Sequence, residues 1–271
     1  MTRYPVRLAC LFLLAALMQA APPVRILFIG NSFTFVNNLP EVFTKVAAAG
    51  GIEVQTQMVA VGGSTLNGHI GRGEAQKAIH TGHWDYVILQ DESSMGSILI
   101  VNGVRHPVDP SDMWHGAREL DKEIKSAGAK TAFFHTWAWR AAPEAQATLD
   151  YAYMTIAKEL GAIDIPVGPA WQSAMRAGPS LGVNLYIADG AHPSPAGTYL
   201  AACEFYATLF GKSPMGLSGK IVGMPYVAAR GGSSEPAEPA TLVDLSAEKP
   251  RDYRRPHGTR MRASCTEPMR T

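Results

Sequence analysis

Short apolar runs alternate with stretches of helical periodicity through most of the chain. "RILFI" (25–29) is the first run, and an amphipathic pattern from Leu39 to about Ala49 follows it. "IEVQTQMVA" (52–60), "DYVILQ" (85–90), "KTAFFHTW" (130–137) and "AIDIPV" (162–167) predict four further strands. The intervening spacing predicts helices near 74–81, over 111–127 with Ser111 as cap, from Pro143 to about Leu160, and near 169–177. A final helix is expected from Pro195 to Phe210, with Ser194 as N-cap. This rhythm predicts an α/β fold, a parallel sheet with helices on both faces. Such sheets bind ligands beyond the C-terminal ends of their strands. Residues 91–110 carry no clear pattern and read as a lid or binding loop.

Composition narrows the partners. The chain has 271 residues, 46% of them hydrophobic, enough for one sizeable core. A net charge of +1, with no nucleic-acid motif, argues against a nucleic-acid partner. Arg3 and Arg7, then "LACLFLLAALM" and "QAAPP", read as a signal peptide over residues 1–21. That predicts a secreted or periplasmic protein, with no stable membrane insertion after signal removal. The apolar run is short for a bilayer span, and an uncleaved anchor is the alternative. Cys10, Cys203 and Cys265 form no C-x-x-C or Cys/His pattern, so neither a disulfide framework nor structural zinc is expected. The folded domain is expected over 24–228. "GGSSEPAEPA" then reads as a linker into a basic, disordered tail over 229–271, in which "LVDLSAEK" resembles a helix start that Pro250 stops.

The chemistry concentrates at two places. "ILFIGNSFTF" ends the first strand by presenting Ser32 just after Gly30 and Asn31. A serine hydroxyl at a strand end can be a turn residue, or a nucleophile if a base takes its proton and N–H donors meet the resulting oxyanion. Asn31 and Thr34 read as holders of that turn. Of eight histidines, His192 stands apart, in "IADGAHPSPAG", three residues after Asp189 and inside a Gly/Pro turn. A carboxylate at that spacing can hold one imidazole nitrogen and leave the other to face Ser32. It could equally bridge a turn before a helix. His135 and Trp137 end the fourth strand and are expected to contact substrate.

"GNSFT" early, "VGGSTL" in the middle and "DGAHPS" late together resemble the SGNH, or GDSL-like, hydrolase superfamily over about residues 25–215. The resemblance implies a flavodoxin-like three-layer α/β/α sandwich with a central parallel five-stranded sheet. It implies Ser32 as nucleophile, His192 as general base and then acid, and Asp189 as its orienting partner. Gly63, with Gly62 as the alternative, would give an oxyanion N–H beside that of Ser32. Many members place an Asn after strand three. Here "LQDESS" stands instead, and Gln90 is expected to supply the amide donor. No metal or organic cofactor is implied. The expected activity is cleavage of carboxylic esters of small molecules or carbohydrates, with short acyl groups first and acetyl esters foremost. Three rival readings remain: a non-catalytic carbohydrate-binding protein on this fold, a Rossmann-type oxidoreductase, and a metal site on Asp189 and His192. The second lacks the further glycines of G-x-G-x-x-G.

Overall fold

The computed structural model of the chain describes residues 21–177, 183–226 and 238–245. The expected signal peptide and most of the expected tail lie outside these residues.

Five strands form one sheet: β1 (Val24–Gly30), β2 (Val54–Ala60), β3 (Tyr86–Leu89), β6 (Lys130–Phe134) and β7 (Ile163–Ile165). Their order is β2-β1-β3-β6-β7, and every pairing is parallel. Alternation along β1 separates two cores. Ile26 and Phe28 face a cluster completed by α2 (Leu39–Ala49), α7 (Val167–Ala177) and α8 (Pro195–Phe210). Leu27 and Ile29 face another, built with α3 (Leu66–Arg72), α4 (Glu74–Thr81), α5 (Ser111–Ser126) and α6 (Gln146–Leu160). The result is the expected three-layer α/β/α arrangement. The order reverses between β1 and β3, the switch point where open α/β sheets leave a crevice.

Several local expectations change. β6 stops at Phe134, so His135 and Trp137 lie beyond it. α5 begins at Ser111 itself, whose N–H and O–H both reach Asp109 Oδ1; the aspartate, not Ser111, does the capping. α3 had no signal in the sequence because it spans 7 residues and includes Gly68 and Gly71. Residues 91–110 contain a small hairpin, β4 (Ile100–Val101) and β5 (Val104–Arg105), with Asn102 and Gly103 both at positive φ. Ala240–Asp244, expected in the tail across the end of the linker and the helix start at Leu242, is instead strand β9. It pairs antiparallel with β8 (Lys220–Gly223) and buries Leu242 and Val243 in the core of α2 and α8.

Candidate active site

β1 delivers Ser32. Asn31 caps the one-turn helix α1 (Ser32–Phe35): its Oδ1 accepts the Phe33 N–H at 3.1 Å, and its Nδ2 donates to Ser64 O at 3.0 Å. Ser32 is therefore the first residue of a helical turn directed out of the sheet. Gly30 is required beneath it, because a Cβ there would lie 2.5 Å from both Gln90 Oε1 and Thr34 Oγ1.

The late motif comes from the other end of the chain. Ser194 caps α8 through the Gly197 N–H, with Pro195 in the first turn as expected. The loop before it is held by its neighbours: Arg140 N–H donates to Gly190 O at 2.8 Å, and Trp137 Nε1–H donates to Ala191 O at 3.0 Å. Asp189 Oδ1 accepts the N–H groups of Ala191 and His192, and Oδ2 lies 2.6 Å from His192 Nδ1. His192 Nε2 lies 2.8 Å from Ser32 Oγ, across 160 residues of sequence. Burial alone would raise the Asp189 carboxyl, but the two N–H groups and the imidazole outweigh it and hold it below its ordinary 3.8. An ionised Asp189 accepts from Nδ1–H, which leaves the neutral ring's Nε2 free to accept from the Ser32 hydroxyl. The Asp189 and His192 side chains are 43% and 32% exposed, so the assembly lies at the surface crevice and not in the core.

"VGGSTL" forms a turn closed by the Ser64 N–H on Val61 O at 3.0 Å, with Gly63 at φ +66 and exposed. That turn bond uses neither the Gly62 nor the Gly63 N–H. The Asn31 side chain fastens the turn to the residue before Ser32.

Three expected roles are corrected. Gln90 is 1% exposed, and its Oε1 accepts from Asn31 N–H at 2.8 Å and Thr34 Oγ1 at 2.9 Å, while its Nε2 donates to Asp91 O at 2.5 Å. Its amide is committed beneath the Ser32 turn, with its oxygen and not its N–H turned toward it, so it supports the turn from below. Trp137 is fully buried, stacked between Trp171 (3.9 Å, 8°) and Phe33 (4.7 Å, 6°), and touches no open cleft. His135 is also fully buried, between Asp150 at 2.9 Å and Asp164 at 3.3 Å. Burial would lower its pKa, yet the two carboxylates raise it above 6.5, favouring the protonated ring that ties the end of β6 to α6 and β7.

Other supports carried no motif. His69 is buried in α3 with Nε2 2.7 Å from Gly30 O. Burial, aided by Arg72, depresses its pKa, so a neutral ring donates Nε2–H to that carbonyl. Asp91, fully buried, accepts the Leu66 N–H at 2.9 Å and tethers α3 to the end of β3. Among the described residues, no group of three or more His, Cys, Asp or Glu side chains is arranged to hold a metal ion.

No protein-family model and no curated protein matches the chain. Solved structures do. A protein from Slackia heliotrinireducens described as an SGNH hydrolase aligns with 26% identity and a TM-score of 0.57, over 69% of this chain and 100% of its own. An acetylxylan esterase from Geobacillus stearothermophilus aligns at 16% identity and TM-score 0.55, over 69% of this chain and 94% of its own. A lipase/acylhydrolase from Enterococcus faecalis aligns at 16% identity and TM-score 0.54, over 69% and 96%. The chain has the SGNH, or GDSL-like, hydrolase fold.

Proposed function

We propose that this protein is a serine hydrolase that cleaves short-chain carboxylic esters, acetyl esters of carbohydrates foremost, outside the cytoplasm. The observation that carries the reading is the continuous path Ser32 Oγ to His192 Nε2, and His192 Nδ1 to Asp189, at 2.8 and 2.6 Å. The fold neighbours support hydrolysis of esters as the reaction class, and the acetylxylan esterase among them favours acetylated sugars. Export rests on the N-terminal signal pattern.

In this reading Ser32 Oγ attacks the ester carbonyl carbon as its proton passes to His192 Nε2. The carbonyl oxygen becomes an oxyanion facing the N–H groups of Ser32 and Gly63. Asp189 stabilises the imidazolium. The carbon–oxygen bond to the alcohol breaks, and Nε2–H returns its proton to the leaving alkoxide. Water then gives a proton to His192 and attacks the acyl carbon, and the acid departs as Ser32 recovers its proton.

The test is hydrolysis of p-nitrophenyl acetate and of acetylated xylo-oligosaccharide by wild type, Ser32→Ala and His192→Ala. Wild type is expected to be active, and each variant to lose at least about 10³-fold in kcat. A fluorophosphonate should label wild type but not Ser32→Ala. Robust turnover by purified Ser32→Ala overturns the assignment. Assaying the same ester in cell fractions checks the location, and activity confined to the cytoplasm removes the export part.

A further inference from the structure

The turn that presents Ser32 continues into an unusual segment. Asn37 and Asn38 follow α1 at φ +56 and +51, two consecutive non-glycine residues in the left-handed region. Such backbone is uncommon outside functional or strongly constrained sites, and asparagine tolerates it best. Both side chains are used. Asn37 Nδ2 donates to Pro193 O at 3.0 Å and Thr198 Oγ1 at 2.9 Å, fastening the turn to the residue after His192. Asn38 Nδ2 donates to Met224 O at 2.7 Å, fastening it to the segment that leaves β8. The kink therefore draws together three parts of the chain: the Ser32 turn, the histidine loop and residues 224–226.

What it assembles is an aromatic pair. Phe35 lies three residues after Ser32 in the same helical turn, so the two share one side of it. Its ring reaches the glycine turn of "VGGSTL": a Cβ on Gly62 would lie 3.9 Å from Phe35 Cζ. Tyr226 stacks on Phe35 with ring centroids 5.0 Å apart and planes at 28°. Tyr226 is 38% exposed and Met224 41%. This pair belongs to neither buried cluster. Trp137, the aromatic expected to meet substrate, lies in the core; this pair lies at the surface beside the site.

We propose that Phe35 and Tyr226 form a platform that binds a pyranose ring of the substrate's alcohol part. The inference rests on the esterase reading for which part of the substrate lies there. His192 returns a proton to the leaving alcohol, so the alcohol occupies the histidine side of Ser32. Asn37 bonds the carbonyl of the residue next to His192, so the segment that carries Phe35 is fastened to the histidine loop. A sugar ring presents one face of C–H bonds, and an exposed aromatic face with its negative quadrupole complements them. A phenol at the edge adds a hydroxyl for the sugar's own hydroxyls.

The experiment uses the full chain and xylotetraose, an unacetylated sugar whose binding needs no chemistry. Titration calorimetry is expected to show binding by wild type, binding about 5–10-fold weaker in Tyr226→Ala, and near wild-type affinity in Tyr226→Phe, which keeps the ring. With acetylated xylotetraose, Tyr226→Ala should raise KM by a similar factor, at least fivefold more than for p-nitrophenyl acetate, with kcat little changed. Circular dichroism checks that each variant is folded. Equal affinities of wild type and Tyr226→Ala overturn the platform, as does a wild type that binds no sugar. So does a Tyr226→Ala defect that grows with the acyl chain of p-nitrophenyl esters but spares xylotetraose; the pair would then serve the acyl side. A wild type inert to p-nitrophenyl acetate and to fluorophosphonate, yet binding xylotetraose through Tyr226, sinks the esterase reading and keeps the platform.

Discussion

The amide of Gln90 shows how one residue type admits opposite roles. Its N–H groups made it a candidate oxyanion donor, but two hydrogens, from Asn31 N and Thr34 Oγ1, claim its oxygen. Because backbone N–H can only donate, the amide must turn its oxygen toward the Ser32 turn. Gln90→Ala would leave that buried N–H without a partner. It is expected to cost about 1–3 kcal/mol of stability, read as a shifted urea midpoint, and to lower kcat by loosening the turn. An unchanged midpoint would show that the amide is not what holds the turn. Ser32, His192 and Asp189 were legible because their short motifs imply chemistry. His69 and Asp91 were not, because their residue types carry no message until burial assigns one.

At the scale of elements, periodicity was the reliable guide. α2, α4 and α8 have the ends that the pattern predicts, and Ser194 and Pro195 open α8 as expected. α3 and the β8–β9 pair were hidden, since each is short and is stabilised by neighbours rather than by its own pattern. α8 bears directly on the site, for its N-terminus carries the histidine loop. At Gly197 a Cβ would meet Leu185 O at 2.3 Å and Trp171 Cη2 at 2.4 Å. Gly197→Ala should therefore push α8 away from the loop. The expected cost is about 1–3 kcal/mol by urea unfolding, together with a fall in p-nitrophenyl acetate turnover as His192 shifts from Ser32. A variant equal to wild type in both would mean that the loop is positioned independently of α8.

For the whole molecule, buried ionisable groups set a pH profile. His135 titrates above 6.5, so its contribution is complete below 6.5 and disappears as pH rises through its folded value. Burial pushes Asp91 up from 3.8 to about 7, with Glu92 and Asp112 adding to it and the Leu66 N–H opposing. Between those values the folded state binds the extra proton, so stability again drops as pH rises. Asp150 and Asp189 are depressed below 3.8; their contribution is present above 3.8 and is lost as pH falls through their folded values. The Tm maximum is expected well on the acid side of neutrality, with decline as pH rises toward 7. In Asp91→Asn, Tm relative to wild type should climb from pH 5 to 7 and then level off. A wild-type Tm that rises steadily from pH 5 to 8 contradicts this.

Local pattern alone determined the β-α alternation, the parallel sheet and most helix bounds, and short motifs with the family resemblance singled out Ser32, Asp189 and His192. Those depend on periodicity, capping and short-range spacing, which a linear chain displays directly. Tertiary structure alone decided which polar ends of strands face the crevice and which are swallowed by the core. His135 and Trp137 sit one and three residues past Phe134, where β6 stops, and both are fully buried. Phe35 and Tyr226 are far apart in the chain and meet where Asn38, in left-handed backbone, is fastened to Met224 O. Burial and long-range pairing are properties of packing, and no local stretch of sequence carries them.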